Sequence, residues 1–155
     1  MPPRLRKLLP LLAIIPAALA AAAGWRLLQK PRARPAPRVT VDQSLTSVTR
    51  GEYLVRHVAA CFHCHSPADE AALGHPPLAG REGQGRVMPA PGGGTLVAGN
   101  LTSDAATGLG AWTDGEILRA LREGVTRDGR ALHPMMPHAA YRALPDEDAR
   151  AVVAY

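Results

Sequence analysis

Residues 60–66 read ACFHCHS and hold both cysteines of a 155-residue chain. Cys61 and Cys64 stand three apart, and His65 follows the second thiol directly. The remaining histidines, His57, His63, His75, His133 and His138, are scattered by comparison. Such a stretch serves as a thiol redox pair, as half of a zinc site, as two structural cysteines or as the anchor of a prosthetic group. The rest of the chain decides among these.

The length allows one ordinary domain, and part of it is not domain. The first 38 residues carry eight basic groups (Arg4, Arg6, Lys7, Arg26, Lys30, Arg32, Arg34, Arg38) and no acidic one, so ten bases face all 13 acids from Val39 onward. The high overall pI therefore belongs to the tail. Nucleic-acid binding, which needs a basic surface on the folded domain, is not expected; a membrane face is.

Leu8 to Trp25, LLPLLAIIPAALAAAAGW, is an uncharged run of 18 residues. A bilayer core needs about 20 apolar residues and a signal-peptide core about 7 to 15, so the run lies between them. Residues 1–28 are read as a signal anchor, with a signal peptide cleaved around Ala20 to Ala23 as the alternative. No 3.6-residue polar stripe suggests a surface helix of a soluble domain. Residues 29–46 carry Pro31, Pro35 and Pro37 among alternating Arg and Ala. This composition predicts an extended linker reaching roughly 50 Å at ~3.1 Å per residue. Basic groups flank the apolar run on both sides, so charge alone does not orient it.

The domain is expected over residues 47–155, mostly as helix and loop. Val48, Tyr53, Leu54, Val58 and Ala59 fall on one helical side and lead into Cys61. From Ser66 to Gly110 regular pattern gives way to glycines and prolines, with no convincing strand pairs. Thr113 with Glu116 predicts a capping box, Trp112 with Ile117 a hydrophobic staple, and Gly124 a stop, which frames a helix Asp114 to Glu123. Another helix is expected after Pro145, begun by Asp146, Glu147 and Asp148 and packed through Val152, Val153 and Tyr155. One Phe, two Trp and three Tyr make a thin core for such a domain. Something large and apolar is missing, and a haem would fill its place.

The opening stretch then has a specific reading. In C-x-x-C-H, two thiols one helical turn apart can each add to a vinyl group of a porphyrin, with the next imidazole beneath the iron. A thioredoxin-like pair would want a βαβ context, which this pattern lacks. A zinc site drawing on Cys61, Cys64 and two of His63, His65 and His75 lacks a second half-site. Candidates for a sixth ligand are Met88, Met135, Met136, His133 and His138. Pro134 and Pro137 bracket HPMMPH (133–138) and hold it as an extended loop able to present one side chain.

Three stretches, RGEYLVRHVAACFHCHS (50–66), GNLTSDAATGLGAWTDGEILRALREGVTRDGRALHPMMPHAAYRAL (99–144) and DEDARAVVAY (146–155), carry a resemblance. From about Ser47 to the C-terminus the chain resembles a class I c-type cytochrome, of the single-haem or subunit type associated with membrane dehydrogenases. The resemblance implies an all-α cytochrome c fold around one covalent haem c, with thioethers at Cys61 and Cys64. It also implies His65 as proximal ligand and Met136, before Met135 and Met88, as distal ligand. The first helix should pack on the last, with Gly51 approaching closely beside Tyr155. In the family the last helix usually continues beyond the position of Tyr155, so here it is expected to be short or cut.

The free ring nitrogen of His65 should meet a backbone carbonyl near Pro76 or Pro77. Trp112 and Tyr141 are candidates for the haem pocket or for ordinary core, and Asn100 for a propionate contact or a turn cap. The function so implied is electron transfer, without catalysis, from a dehydrogenase or quinol-oxidising donor to a respiratory acceptor. The family attaches haem outside the cytoplasmic membrane, so the domain is expected in the periplasm, anchored by the N-terminal segment or secreted after its cleavage. Two other function classes stand beside it: a haem enzyme or sensor with an open sixth position, and a zinc-stabilised structural module.

Overall fold

The computed structural model describes the backbone of residues 3–28, with side chains from Ile14, and all of residues 33–155. The chain divides between Arg32 and Ala33 into two units. The first holds helix α1, Pro3–Leu28. Ile14, Ile15, Leu19, Trp25, Leu27 and Leu28 are exposed on it. The apolar run is thus helical, but its side chains from Leu8 to Ala13 lie outside the described residues. No helix among the described residues is long and apolar enough to cross a membrane.

The second unit begins earlier than the expected boundary at residue 47. Residues 33–46, expected to be part of a free linker, run along helix α4 (Asp114–Glu123). An extended chain leaves its backbone groups unpaired, and α4 supplies partners for them. The Val41 N–H donates to Asp114 Oδ2 at 2.8 Å, and Arg119 Nη1 donates to the Arg34 carbonyl at 2.9 Å. Val41 is buried, and the Pro37 carbonyl occupies the space where Gly115 would carry a β-carbon. Residues 29–32 of the expected linker lie outside the described residues.

Helix α2, Leu45–Tyr53, starts at Ser44, whose hydroxyl accepts from the Ser47 N–H. It continues through a π-helical turn, Leu54–Val58, which buries Leu54 and Val55. Helix α6, Asp146–Ala154, crosses it at Gly51, where a β-carbon would overlap the Ala151 carbonyl. That is the close approach expected of the first and last helices. Arg50 reinforces it with two bonds to Asp148, at 2.8 and 3.0 Å.

Helix α4 starts and ends where its capping residues predict. Thr113 and Glu116 each bond the other's backbone N–H, and Gly124 closes the helix in the left-handed conformation, φ +66°. A short helix α5, His138–Tyr141, precedes α6.

The all-α expectation needs correction. Strands β1 (Arg86–Pro89) and β2 (Thr95–Ala98) form an antiparallel hairpin that pairs Val87 with Val97 and Met88 with Leu96. The strands are four residues each, and the turn between them uses three successive glycines, Gly92 to Gly94, all at positive φ. In the sequence such a unit reads as glycine-rich loop.

Among the described residues the buried apolar ones are Val41, Leu54, Val55, Leu121, Val125, Ala149, Ala151 and Ala154. Each buried Leu or Val contributes about 1.5–3 kcal/mol, whereas three of the eight are alanines with almost no side chain to bury. Protein side chains alone make a sparse core, as the composition predicts.

Candidate functional site

Cys61, Cys64 and His65 lie on one short helix, α3, Cys61–His65. The helix is set off from the preceding π turn by Ala60, held in the left-handed region at φ +50°. This break lets a new helical turn begin at Cys61, so both sulfurs and the imidazole issue from one turn. Tyr141 supports the break from α5: its hydroxyl donates to the Ala59 carbonyl at 2.9 Å, and burial pushes its pKa up to about 12. Phe62 is pinned on the other side. The Arg56 guanidinium stands 5.1 Å over its ring and donates to the Tyr155 hydroxyl at 2.9 Å.

Both cysteines are free, Cys61 half-buried and Cys64 exposed. Burial pushes the Cys61 thiol up to about 11, with the neighbouring Cys64 adding to the rise. A thiol redox pair needs the opposite, a lowered pKa at one sulfur. Among the described residues no group of three or more His, Cys, Asp or Glu could hold a metal ion. The geometry thus lends no support to the redox-pair or zinc readings.

His65 is held by its ring. Nδ1 lies 2.7 Å from the Gly99 carbonyl oxygen, which can only accept, so Nδ1 carries the proton and Nε2 keeps its lone pair. Burial lowers the His65 pKa, and the Gly99 bond opposes part of that shift. The expected partner near Pro76 or Pro77 is not the one used. Residues 67–78 fold back on themselves instead, with Asp69 N–H donating to Pro76 and Leu78 N–H to Pro67, both at 2.8 Å. Gly99 is 34 residues along the chain from His65, beyond the reach of local pattern.

The candidates for a distal ligand separate by position. Met136 is half-buried in a loop closed by its own backbone: its N–H donates to the His133 carbonyl at 3.0 Å, and its carbonyl accepts from the His138 N–H at 2.8 Å. Met135 is 44% exposed. Met88 is half-buried on β1. His133 Nδ1 accepts from the Met135 N–H, and His138 packs its ring against Gly124 with Nδ1 3.1 Å from the Met136 carbonyl. His133 thus uses Nδ1 as an acceptor, whereas the contact of His138 leaves its Nε2 without a partner among the described residues. Asn100 caps a turn, accepting from Thr102 and donating to Thr107. Trp112 is half-buried at the start of α4.

These residues fit a covalently held haem. Two unpaired sulfurs lie on one turn, an imidazole has its tautomer fixed with Nε2 free, and the domain's core is short of large apolar side chains. The residues that pattern reading missed are Gly85 and Gly99, which bond His65, and Gly83 and Ser66, which bond each other next to it in the fold. The spacing of glycines in GREGQG (80–85) was the one available signal.

Comparison with known proteins agrees with this geometry. A family model described as cytochrome c matches residues 48–155. The chain is 39% identical over 108 residues to the gluconate 2-dehydrogenase cytochrome c subunit of Pantoea cypripedii, covering 70% of this chain and 22% of that protein. It is 33% identical over 114 residues to the cytochrome c subunit of the alcohol dehydrogenase (quinone) of Gluconobacter oxydans, covering 74% and 21%. To the fructose dehydrogenase cytochrome subunit of Gluconobacter japonicus it is 33% identical over 128 residues, covering 80% and 24%. The chain therefore spans less than a quarter of the length of these relatives.

Proposed function

The chain belongs to the cytochrome c family, and from that we propose that its domain carries one covalent haem c and transfers single electrons. In this reading Cys61 and Cys64 form the thioethers, His65 is the proximal ligand and Met136 the distal one. The observation that carries it is the fixed tautomer of His65, with Nδ1 bonded to the Gly99 carbonyl at 2.7 Å and Nε2 left free. Bound haem supplies a one-electron iron couple, and His/Met ligation raises its potential. The chain's own residues orient the imidazole and present the sulfurs from one turn.

Met136 is favoured over Met135, which is exposed, and over Met88. Met88 sits on β1, in register with Leu96 of β2, rather than in a proline-bracketed loop like that of Met136.

The relatives' names, cytochrome subunits of gluconate, alcohol and fructose dehydrogenases, support a role as the electron-accepting partner of a dehydrogenase. The chain's role is that of carrier rather than catalyst. It passes electrons to a respiratory acceptor in the periplasm, tied to the cytoplasmic membrane through residues 1–28 or released by their cleavage. The apolar run and the family's site of haem attachment support that location.

The deciding experiment is a visible spectrum of protein co-produced with haem-attachment machinery, taken after denaturation and solvent extraction. Colour that stays with the chain is expected; a colourless chain sinks the proposal. Met136→Ala should then alter the spectrum and open the sixth position, and an unchanged spectrum would favour the enzyme or sensor reading. A topology reporter fused after Tyr155 should be active outside the cytoplasm.

A further inference from the structure

We propose that the base of the β1–β2 hairpin is the positioning element for His65, with Gly85 as its key positioning residue. The inference rests on the reading of His65 as proximal ligand and adds to it the residues that aim the ring.

The hairpin leaves the body of the domain at Gly83 to Gly85 and returns at Gly99 to Leu101. On the outgoing leg the Gly85 N–H donates to the His65 carbonyl at 2.8 Å, and the Gly83 N–H donates to Ser66 Oγ at 3.0 Å. On the returning leg the Gly99 carbonyl accepts from His65 Nδ1 at 2.7 Å. The legs are joined to each other where the Leu101 N–H donates to the Gly83 carbonyl, at 2.7 Å. One hairpin thus grips both the main chain and the ring of the same histidine. Turning the ring relative to its own backbone means opening this collar. Ser66 is 1% exposed, so water has no ready access to replace its bond.

The sequence requirement falls unequally on the two glycines. Gly85 sits at φ +84°, and a β-carbon there would lie 2.9 Å from the Ala98 carbonyl oxygen and 3.2 Å from the Asn100 nitrogen. Only glycine lets the outgoing leg run so close to the returning one. Gly99 contributes a carbonyl that any residue has, and a β-carbon there would meet nothing within 4 Å. A carbonyl on the far nitrogen makes an imidazole a stronger donor and so favours the oxidised iron. Loosening the collar weakens that effect and raises the midpoint potential.

The test uses the haem-loaded chain and its Gly85→Ala, Gly92→Ala and Ser66→Ala variants. Midpoint potential is measured by redox titration, and exchange of the His65 Nδ1 proton by NMR of the reduced protein. Gly85→Ala is expected to raise the potential and speed the exchange, and Ser66→Ala to do both less strongly. Gly92→Ala, at the hairpin tip where φ is also positive but a β-carbon would meet nothing within 4 Å, should match the unmodified protein. A coloured, folded Gly85→Ala protein with unchanged potential overturns the proposal, as does an equal shift in the two glycine variants. If Gly85→Ala does not fold, the unmodified protein decides. Its Gly85 amide and His65 ring protons should exchange together, and a freely exchanging Gly85 amide beside a protected ring proton overturns the proposal. An unmodified chain without covalent colour would instead overturn the haem reading itself, before any variant is compared.

Discussion

Two positions, Gly51 and Ala60, respond oppositely to one methyl group. At Gly51 a β-carbon would overlap the Ala151 carbonyl and come within 2.9 Å of Tyr155 Cβ, and a carbonyl inside α6 cannot move aside cheaply. Gly51→Ala gains about 1 kcal/mol of helix propensity and loses about 1–3 kcal/mol or more to overpacking, so net destabilisation is expected in a urea titration. At Ala60 the methyl is already present where φ is +50°, a conformation that costs an L-residue about 1–2 kcal/mol. Ala60→Gly should therefore raise stability by about 1 kcal/mol, and a lowered urea midpoint would mean the left-handed turn is not strained. The cluster of Cys61, Cys64 and His65 is legible as a motif because it depends on identity and short spacing, whereas the close approach at Gly51, to residues about 100 positions on, was implied only by the family resemblance. Gly99 is not legible, because its contact with His65 depends on how 33 intervening residues close.

Helix α4 shows which elements a sequence specifies by itself. Its start rests on two reciprocal bonds, Glu116 N–H to Thr113 Oγ1 at 3.3 Å and Thr113 N–H to Glu116 Oε2 at 2.9 Å. Both partners are within three residues, so pattern reading placed the helix at the residues the structure gives it, Asp114–Glu123. Thr113→Ala should cost about 1 kcal/mol in thermal or urea unfolding. Adding Glu116→Ala should cost less than the sum of the single changes, since either one alone breaks the box; strict additivity would show that the two bonds act independently. The hairpin fails the same reading for a physical reason. Its register is set by pairing across a turn of three glycines, and four-residue strands carry too little alternation to stand out from the surrounding glycine and proline. Helix α5 is a single turn and offers no periodicity at all.

Across the whole molecule, contacts between distant segments replace the bulk of a large core. The segment at 33–46 lies on α4, and Arg50 reaches across 98 residues to Asp148. The thin core was legible from the aromatic count, whereas the docking of 33–46 was not, because its proline-rich composition also describes a free chain. Five carboxylates of the domain share one feature. Asp148 is held below its ordinary value of 3.8 chiefly by the Arg50 hydrogen bond, Asp104 by the Thr107 backbone N–H, Asp42 by Ser44 and Asp128 by Thr126. Glu116 is held below 4.5 by the Thr113 backbone N–H. A carboxylate more acidic in the fold than in the unfolded chain stabilises fully above the unfolded value and loses that contribution as pH falls through the folded one. Stability from these groups should therefore be level from neutrality down to about pH 4.5 and then decline. The contributions of Asp42, Asp104 and Asp128 are small because these groups face solvent and salt screens them, whereas Asp148 is more sheltered, with 15% of its side chain exposed. Asp148→Asn isolates one of them. Its thermal midpoint should lie below that of the unmodified chain at pH 7, and the two curves should converge as the pH is lowered past 3.8. Parallel curves down to pH 2 would mean that the Arg50–Asp148 contact adds packing but no electrostatic stability.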